Sequence, residues 1–159
     1  MNREDLIMLL KEYKENKAKL NIRLKELKMN RIQLKAYEEI DISITPSYGQ
    51  NSDIHSKNKI SNKILDSVEK NETKKEHLIE KISKLEEIVK ELRNKVEAVE
   101  DRLEGLKYKE RELLVAYYID GRTAEDIGNR LYFELFNQTR SDRHIQRIIE
   151  KATEKMLKL

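Results

Sequence analysis

Apolar side chains recur at helical spacing along most of this 159-residue chain. In the first part, leucine or tyrosine returns every seven positions from Leu6 to Leu34, which is the repeat of a helix with one buried stripe. The pattern predicts one long helix over residues 5–38. A second row of apolar positions beside the first is interrupted by the charged Lys17 and Arg31. The buried stripe is therefore suited to packing against a single partner helix.

The helical pattern stops over residues 40–60 and then resumes. This stretch holds the only proline of the chain, Pro46, together with a glycine and several serines and asparagines, which predicts a linker. A second helix is predicted over residues 61–106, because apolar residues from Leu78 to Leu106 alternate at spacings of four and three, as in a coiled coil. The two helices either fold back on each other as a hairpin or pair between chains, and the linker is long enough for the hairpin.

The last third of the chain, residues 107–159, shows shorter helical patterns separated by turns. Apolar residues over 109–119 predict a helix that stops at Gly121, since the residue past a last helical turn often needs a left-handed backbone. Thr123 is a favoured N-cap for the next helix, with Ala124 and Gly128 as small residues where another helix could approach closely. A final helix is predicted to follow Ser141.

Polar residues at the start of this final helix are the candidate DNA-binding residues. Arginine can grip guanine edges and glutamine adenine edges by paired hydrogen bonds in the major groove, and residues just before the helix suit phosphate contact. Residues 137–159 hold six basic and three acidic side chains, a modest excess of positive charge that is typical of a small DNA-binding domain. A three-helix bundle with a polar surface would show the same apolar periodicity. The predicted site consists of Thr123, Thr139, Arg140, Ser141, Arg143, His144, Gln146, Arg147 and Lys151.

Composition argues against other classes of protein. The chain has no cysteine and only three scattered histidines, so we expect neither a metal site nor a cofactor. Its four glycines form no phosphate-binding loop, and its carboxylates alternate with lysines as in i,i+4 pairs, so we do not expect an enzyme. No apolar run approaches the ~20 residues of a membrane span, so we expect a cytoplasmic protein that does not contact a membrane.

The last third also resembles the promoter-reading helix-turn-helix of bacterial sigma-70 family factors. The similarity rests on KERELLVAYYIDGRTAEDIGNRL followed by SDRHIQRIIEKATEKM, in which an apolar helix, a glycine-containing turn, a threonine-capped helix and a recognition helix follow one another. The segment YFELFNQTR departs from that pattern, because it predicts a longer connection between the two helices than the usual tight turn. The rest of the chain has no candidate for the sigma domain that opens promoter DNA.

As a whole, the chain is similar to phage late-gene transcriptional regulators of the RinA and ArpU kind. The resemblance implies an all-α protein with a long helical hairpin or coiled coil, followed by a sigma-70-like helix-turn-helix domain. It further implies an activator of phage late genes that binds double-stranded DNA in the bacterial host cell. In this hypothesis the coiled coil either supports assembly or contacts the host RNA polymerase. A homodimer would require a repeated half-site. Two other functions stay open, namely a phage terminase small subunit and a structural adaptor coiled coil.

Overall fold

The fold is all-α, as the sequence predicts: the residues that the structure describes form helices and no strands. The computed structural model describes residues 2–43 and 57–159, and the side chains of residues 2–39 and 69–159. In chain order the helices are α1 (Arg3–Ser43), α2 (Lys57–Glu104), α3 (Tyr108–Leu114, then a π-helical turn over Val115–Ile119), α4 (Ala124–Asp126, a π-helical turn over Ile127–Leu131, then Tyr132–Phe136) and α5 (Asp142–Lys158).

Both long helices extend into the predicted linker of residues 40–60. Helix α1 ends at Ser43 instead of residue 38, and α2 begins at Lys57 instead of residue 61. The polar composition of these ends suggested a loop, but extending an existing helix by one residue adds a hydrogen bond at little cost, so polar residues are easily included. The rest of the predicted linker lies outside the described residues.

Contacts divide the chain into two compact units. Unit 1 contains Met1–Leu20 and Glu91–Leu159, and unit 2 contains Asn21–Lys90. Helices α3, α4 and α5 therefore belong to the same unit as the first part of α1 and the last part of α2, whereas the sequence predicts a separate domain from residue 107.

The apolar row predicted along α2 is confirmed. Every member from Leu78 to Leu106 is buried except Leu92, which is half-buried. In unit 2, Leu27 of α1 is buried as well, and charged side chains connect the two helices within the chain. Arg31 binds Glu86 at 2.7 Å, and Lys81 binds Glu26 at 3.3 Å. The two helices of unit 2 are thus joined by apolar contact and by exposed ion pairs, of which the latter contribute little individually.

Two asparagines of α1 are buried where the sequence pattern placed charged neighbours. The pattern assigns Lys17 and Arg31 to the second row, but the structure buries Asn16 in unit 1 and Asn30 in unit 2 and leaves both cations exposed. The reason is that a neutral amide costs much less to bury than a charge. The Asn30 side-chain nitrogen has no hydrogen-bond partner among the described residues.

Unit 1 contains two hydrophobic clusters, and α5 contributes to both. The first cluster combines buried residues from α1, α2, the turn after α2, α3 and α5: Leu6, Leu10, Val99, Leu103, Leu106, Leu114, Ala152 and Met156. The second combines buried residues of α3, α4 and α5: Leu113, Ala116, Ala124, Ile127, Tyr132, Ile145 and Ile149. The first half of α5 therefore packs on α3 and α4, and its second half packs against the ends of the long helices.

Ion pairs also fix α3 and the turn after it within unit 1. Lys155 of α5 binds Glu110 of α3, whose side chain is only 17% exposed, and Lys14 of α1 binds Asp120 at 2.7 Å. The hydrogen bond from Lys155 holds the pKa of Glu110 below its ordinary value of 4.5, although partial burial acts in the opposite direction. Charge pairing therefore supplements the apolar contacts of α5.

Replacing Leu10 by alanine tests the packing of α1 in the first cluster. We expect Leu10→Ala to lower the free energy of unfolding by about 2–5 kcal/mol, because it removes a fully buried side chain. Met8, on the same helix, is 55% exposed, so Met8→Ala should change stability by less than ~0.5 kcal/mol. Chemical denaturation followed by circular dichroism measures both variants, and equal effects would contradict this packing.

The contact between Lys155 and Glu110 predicts a pH dependence of stability. Because the pKa of Glu110 is lowered in the folded protein, its carboxylate stabilises the fold above the ordinary pKa, and this contribution disappears as the pH falls below about 4.5. In thermal melts, the difference in melting temperature between wild type and Glu110→Gln should be largest near neutral pH and should vanish in acid. Glu97→Gln, at an exposed position that forms no ion pair with the side chains described, is the control. A difference for Glu110→Gln that does not change with pH would show that the charge does not stabilise the fold.

Candidate nucleic-acid interface

The turn between α3 and α4 forms as its residues predict. Gly121 has a φ of +71°, a left-handed conformation that costs glycine little. The Thr123 hydroxyl caps α4 by accepting a hydrogen bond from the backbone N–H of Asp126 at 3.2 Å. The backbone N–H of Arg122 donates to the carbonyl of Ala116 at 2.9 Å and so closes the end of α3. The predicted stop and restart of the helix are confirmed.

The connection between α4 and α5 is shorter than the sequence predicts. YFELFNQTR reads as a long loop, but α4 continues through Phe136, and only residues 137–141 join the two helices. The helix continues because Tyr132 is buried in the second hydrophobic cluster. Asn137 then ends it in the left-handed conformation, with φ 52° and ψ 35°, which asparagine tolerates better than most residues.

Gly128 allows this connection to pass directly over α4. The backbone N–H of Arg140 donates to the Gly128 carbonyl at 3.1 Å. A Cβ atom on Gly128 would overlap the Arg140 carbonyl oxygen and would lie 3.4 Å from the Ile145 side chain. Gly128 and Ala124 are both buried, but the backbone that approaches Gly128 most closely belongs to the connection before α5 and not, as the sequence predicts, to another helix. The contact determines where Arg140 lies at the start of α5.

Helix α5 separates a buried stripe from a polar face. Its buried residues are Ile145, Ile149, Ala152, Thr153 and Met156, while Ile148 is half-buried. With about 3.6 residues per turn, Arg143, Arg147 and Lys151 follow one another along the side opposite the buried stripe. Gln146 and His144 lie towards the two edges of that side. All five predicted DNA-binding residues on this helix are exposed.

The cations on the outer face of α5 are not neutralised by carboxylates. Among the described residues, neither Arg143, Arg147 nor Lys151 takes part in an ion pair. Two carboxylates, Glu150 and Glu154, share the later turns of this face. The positive charge of this face is therefore concentrated on the first turns of the helix, where the helix dipole adds a partial positive charge.

Ser141 occupies the predicted N-cap position of α5, with an extended backbone at φ −67° and ψ 151°. Its hydroxyl makes no capping hydrogen bond. The Asp142 carboxylate instead accepts a hydrogen bond from the Arg143 backbone N–H at 2.8 Å. The backbone N–H groups of His144 and Ile145 donate to the Ser141 carbonyl at 3.0 and 3.1 Å, so the exposed Ser141 hydroxyl is the group of this cap that is left for an external partner.

The predicted site residues outside α5 are also exposed, but they differ in their contacts. Thr123 uses its hydroxyl in the cap of α4. Arg140 donates to the Gln138 side-chain oxygen at 2.8 Å, and its guanidinium lies 5.8 Å from the centroid of the Tyr132 ring. Thr139 lies in the connection just before Arg140. The structure thus places Thr139, Arg140 and Ser141 next to the N-terminus of α5.

Lys109 and Tyr132 adjoin this region, although the sequence analysis does not identify them. The Lys109 ammonium donates to the Tyr132 hydroxyl and lies 4.5 Å from the Tyr132 ring centroid and 5.2 Å from that of Phe136. Burial acts to raise the pKa of Tyr132, but the hydrogen bonds with Lys109 and Arg140 outweigh it and hold the pKa below 10.0. The sequence signal for the position of Tyr132 is its i,i+4 spacing from Phe136, because two aromatic residues at this spacing are typical of one face of a helix rather than of a loop.

Comparisons of the chain with protein-family models, with curated proteins and with solved structures give no match. In the described part of the chain, no group of three or more histidine and carboxylate side chains could hold a metal ion. None of the helices described is long and apolar enough to cross a membrane. The interpretation of the interface depends on the geometry and charge of unit 1 itself.

Replacing Gly128 by alanine tests the close approach of the connection to α4. At an uncrowded position in a helix, this substitution would stabilise the protein by up to ~1 kcal/mol. Here we expect a loss of about 1–3 kcal/mol, because the added methyl group overlaps the backbone at Arg140. Urea denaturation measures the effect, with Asn129→Ala at the exposed neighbouring position as the control. A Gly128→Ala variant that is more stable than the wild type would contradict the close approach.

Proposed function

We propose that this protein is a sequence-specific transcriptional regulator that reads double-stranded promoter DNA with the outer face of α5. The observation that carries the proposal is that Arg143, Arg147 and Lys151 are exposed, lie along one side of the helix and have no carboxylate partner among the described residues. The major groove of DNA admits an α-helix, and arginine recognises guanine there by two hydrogen bonds. An exposed and positively charged face at the start of a helix can therefore bind in that groove.

The way in which α5 is held supports this function. A helix that reads base edges must keep its side chains in place, which requires a firmly packed inner face. Ile145 and Ile149 pack with α3 and α4, and Ala152 and Met156 pack in the first cluster. The outer side chains therefore project from a helix that is fixed along its length.

The predicted residues divide into two roles. Arg143 and Arg147 contact base edges, and Gln146 and His144 reach bases at the sides of the helix. Thr139, Arg140 and Ser141, together with Thr123 and Lys151, contact phosphates and set the orientation of α5 on the duplex. Glu150 and Glu154 repel phosphates, so the bases read by this helix lie near its first two turns.

The resemblance to phage late-gene regulators supports a more specific proposal. In this proposal, the protein activates late genes in the bacterial host cell, and α3, α4 and α5 bind promoter DNA as a sigma-70-like helix-turn-helix domain. The long helices α1 and α2 act as a coiled-coil spacer or assembly device, or contact the host RNA polymerase. If two chains associate, the homodimer carries two α5 helices and recognises two half-sites.

Selection of bound sequences from a random pool of duplex DNA tests the function. Wild type should enrich one motif, and Arg143→Ala, Arg147→Ala should enrich none. On the selected duplex, the double variant should bind at least tenfold more weakly, since an arginine that reads guanine contributes about 1–3 kcal/mol.

The matched control removes two positive charges elsewhere. Arg93 and Lys95 of α2 are exposed and form no ion pair within the described part of the chain, so Arg93→Ala, Lys95→Ala should retain the motif and the affinity. Equal binding by both double variants would show that α5 is not the reading helix. The absence of any enriched motif from the wild type would exclude a sequence-specific regulator, and a ring-sized mass in solution would favour the terminase alternative.

A further inference from the structure

Two cations, one from α3 and one from the connection before α5, lie beside the aromatic ring of Tyr132. Lys109, in α3, lies 4.5 Å from the ring centroid and also donates to the hydroxyl group. Arg140, in the connection before α5, lies 5.8 Å from the same centroid. Tyr132 itself is only 1% exposed, so the ring is a fixed part of the second cluster and not a mobile surface group. Both positive charges therefore lie within 6 Å of the centroid of one rigidly held ring.

The Tyr132 side chain orients both cations without neutralising their charge. Neither Lys109 nor Arg140 forms an ion pair with a carboxylate among the residues described. Other cations of unit 1 differ, because Lys14 binds Asp120 and Lys155 binds Glu110. An aromatic ring and a neutral hydroxyl attract a cation but leave its full charge in place. Two like charges held together in this way repel each other until an anion joins them.

From this arrangement we infer that Lys109 and Arg140 form a phosphate-binding site, in which Tyr132 is the positioning residue and the natural ligand is a backbone phosphate of bound DNA. The inference rests on the proposed function, and it adds a contact from α3 to the interface of α5. Arginine and lysine are the usual phosphate ligands, arginine by a planar fork and lysine as a point charge. Free inorganic phosphate has the same chemistry and would occupy the same site.

Neighbouring charges determine on which side of Arg140 the phosphate binds. A groove beside Arg140 is lined by Glu125, Asn129, Ser141 and Asp142, so two carboxylates face that side. Lys109 and Tyr132 do not line this groove, and both cations lie within 6 Å of the Tyr132 ring centroid. In this inference the phosphate therefore binds beside Tyr132 and away from the two carboxylates. A phosphate bound there, together with the contacts of α5, fixes the duplex at two separate places.

Three variants separate this site from a structural role of the same residues. Lys109→Met keeps most of the aliphatic stem that packs on the rings and removes the charge. Tyr132→Phe keeps the ring and removes the hydroxyl that holds the ammonium. Lys95→Met, at an exposed position of α2 in unit 1, is the control for loss of one charge. Thermal melts establish that each variant is folded before binding is measured.

The experiment measures the affinity of each variant for the selected duplex, and for a mismatched duplex, over a range of salt concentrations. Each phosphate contact contributes about 0.9 to the slope of log K against log salt. Lys109→Met should therefore reduce the slope by ~1 and weaken both duplexes about eightfold at ~0.1 M salt, with little effect near ~1 M. Tyr132→Phe should change the slope in the same direction by less, and Lys95→Met should leave it unchanged.

The outcomes distinguish this inference from the proposed function. If Lys109→Met keeps the wild-type slope while Arg143→Ala, Arg147→Ala loses binding, the phosphate site is wrong and the reading helix stands. If Lys109→Met lowers the melting temperature but not the slope, the residue is structural and the inference is again overturned.

If the wild type binds no DNA, the proposed function fails, and the phosphate site is tested separately. The melting temperature is then compared between inorganic phosphate and chloride at equal ionic strength. Stabilisation by phosphate in the wild type but not in Lys109→Met supports it, and no stabilisation overturns it.

Discussion

Burial of the inner face of α5 is the contact on which the rest of unit 1 depends. Ile145 and Ile149 close the cluster formed with α3 and α4, and Ala152 and Met156 close the cluster formed with the ends of the long helices. Apolar area removed from water stabilises at about 25 cal/mol per Å², so a helix with such a stripe has one strongly preferred rotation about its axis. That rotation turns Arg143 and Arg147 outward, which means that the proposed reading surface follows from the packing of the core.

Charge in unit 1 is used in two different ways. Lys14 and Lys155 are paired with carboxylates and connect helices to one another. The arginines at the start of α5 have no such partner in the described structure, and their charge stays available for an external anion. A carboxylate that paired with either arginine side chain would compete with phosphate for it, so a DNA-binding surface requires that its cations stay unpaired. Lys14 and Lys155 therefore belong to the fold, and the unpaired arginines of α5 belong to the proposed function.

Features set by local periodicity and turn chemistry could be predicted from the sequence, whereas features set by packing between distant residues could not. The apolar row of α2, the left-handed Gly121 and the cap at Thr123 depend on neighbours within one or two turns, and each is confirmed. The extension of α4 depends on burial of Tyr132 among residues of α3 and α5, so its polar neighbours suggested a loop. The contact of Lys109 with Tyr132 joins residues 23 positions apart and left no sequence signal of its own.

The central claim is that the outer face of α5 is the main DNA-binding surface, with supporting phosphate contacts beside it. Backbone amide NMR spectra of the labelled full-length protein, recorded during titration with the selected duplex, test it most directly. The account predicts that the largest shift changes fall on residues 139–151, with weaker changes near Thr123 and Lys109. Changes centred on the outer residues of α1 or α2, with residues 139–151 unaffected, would contradict it.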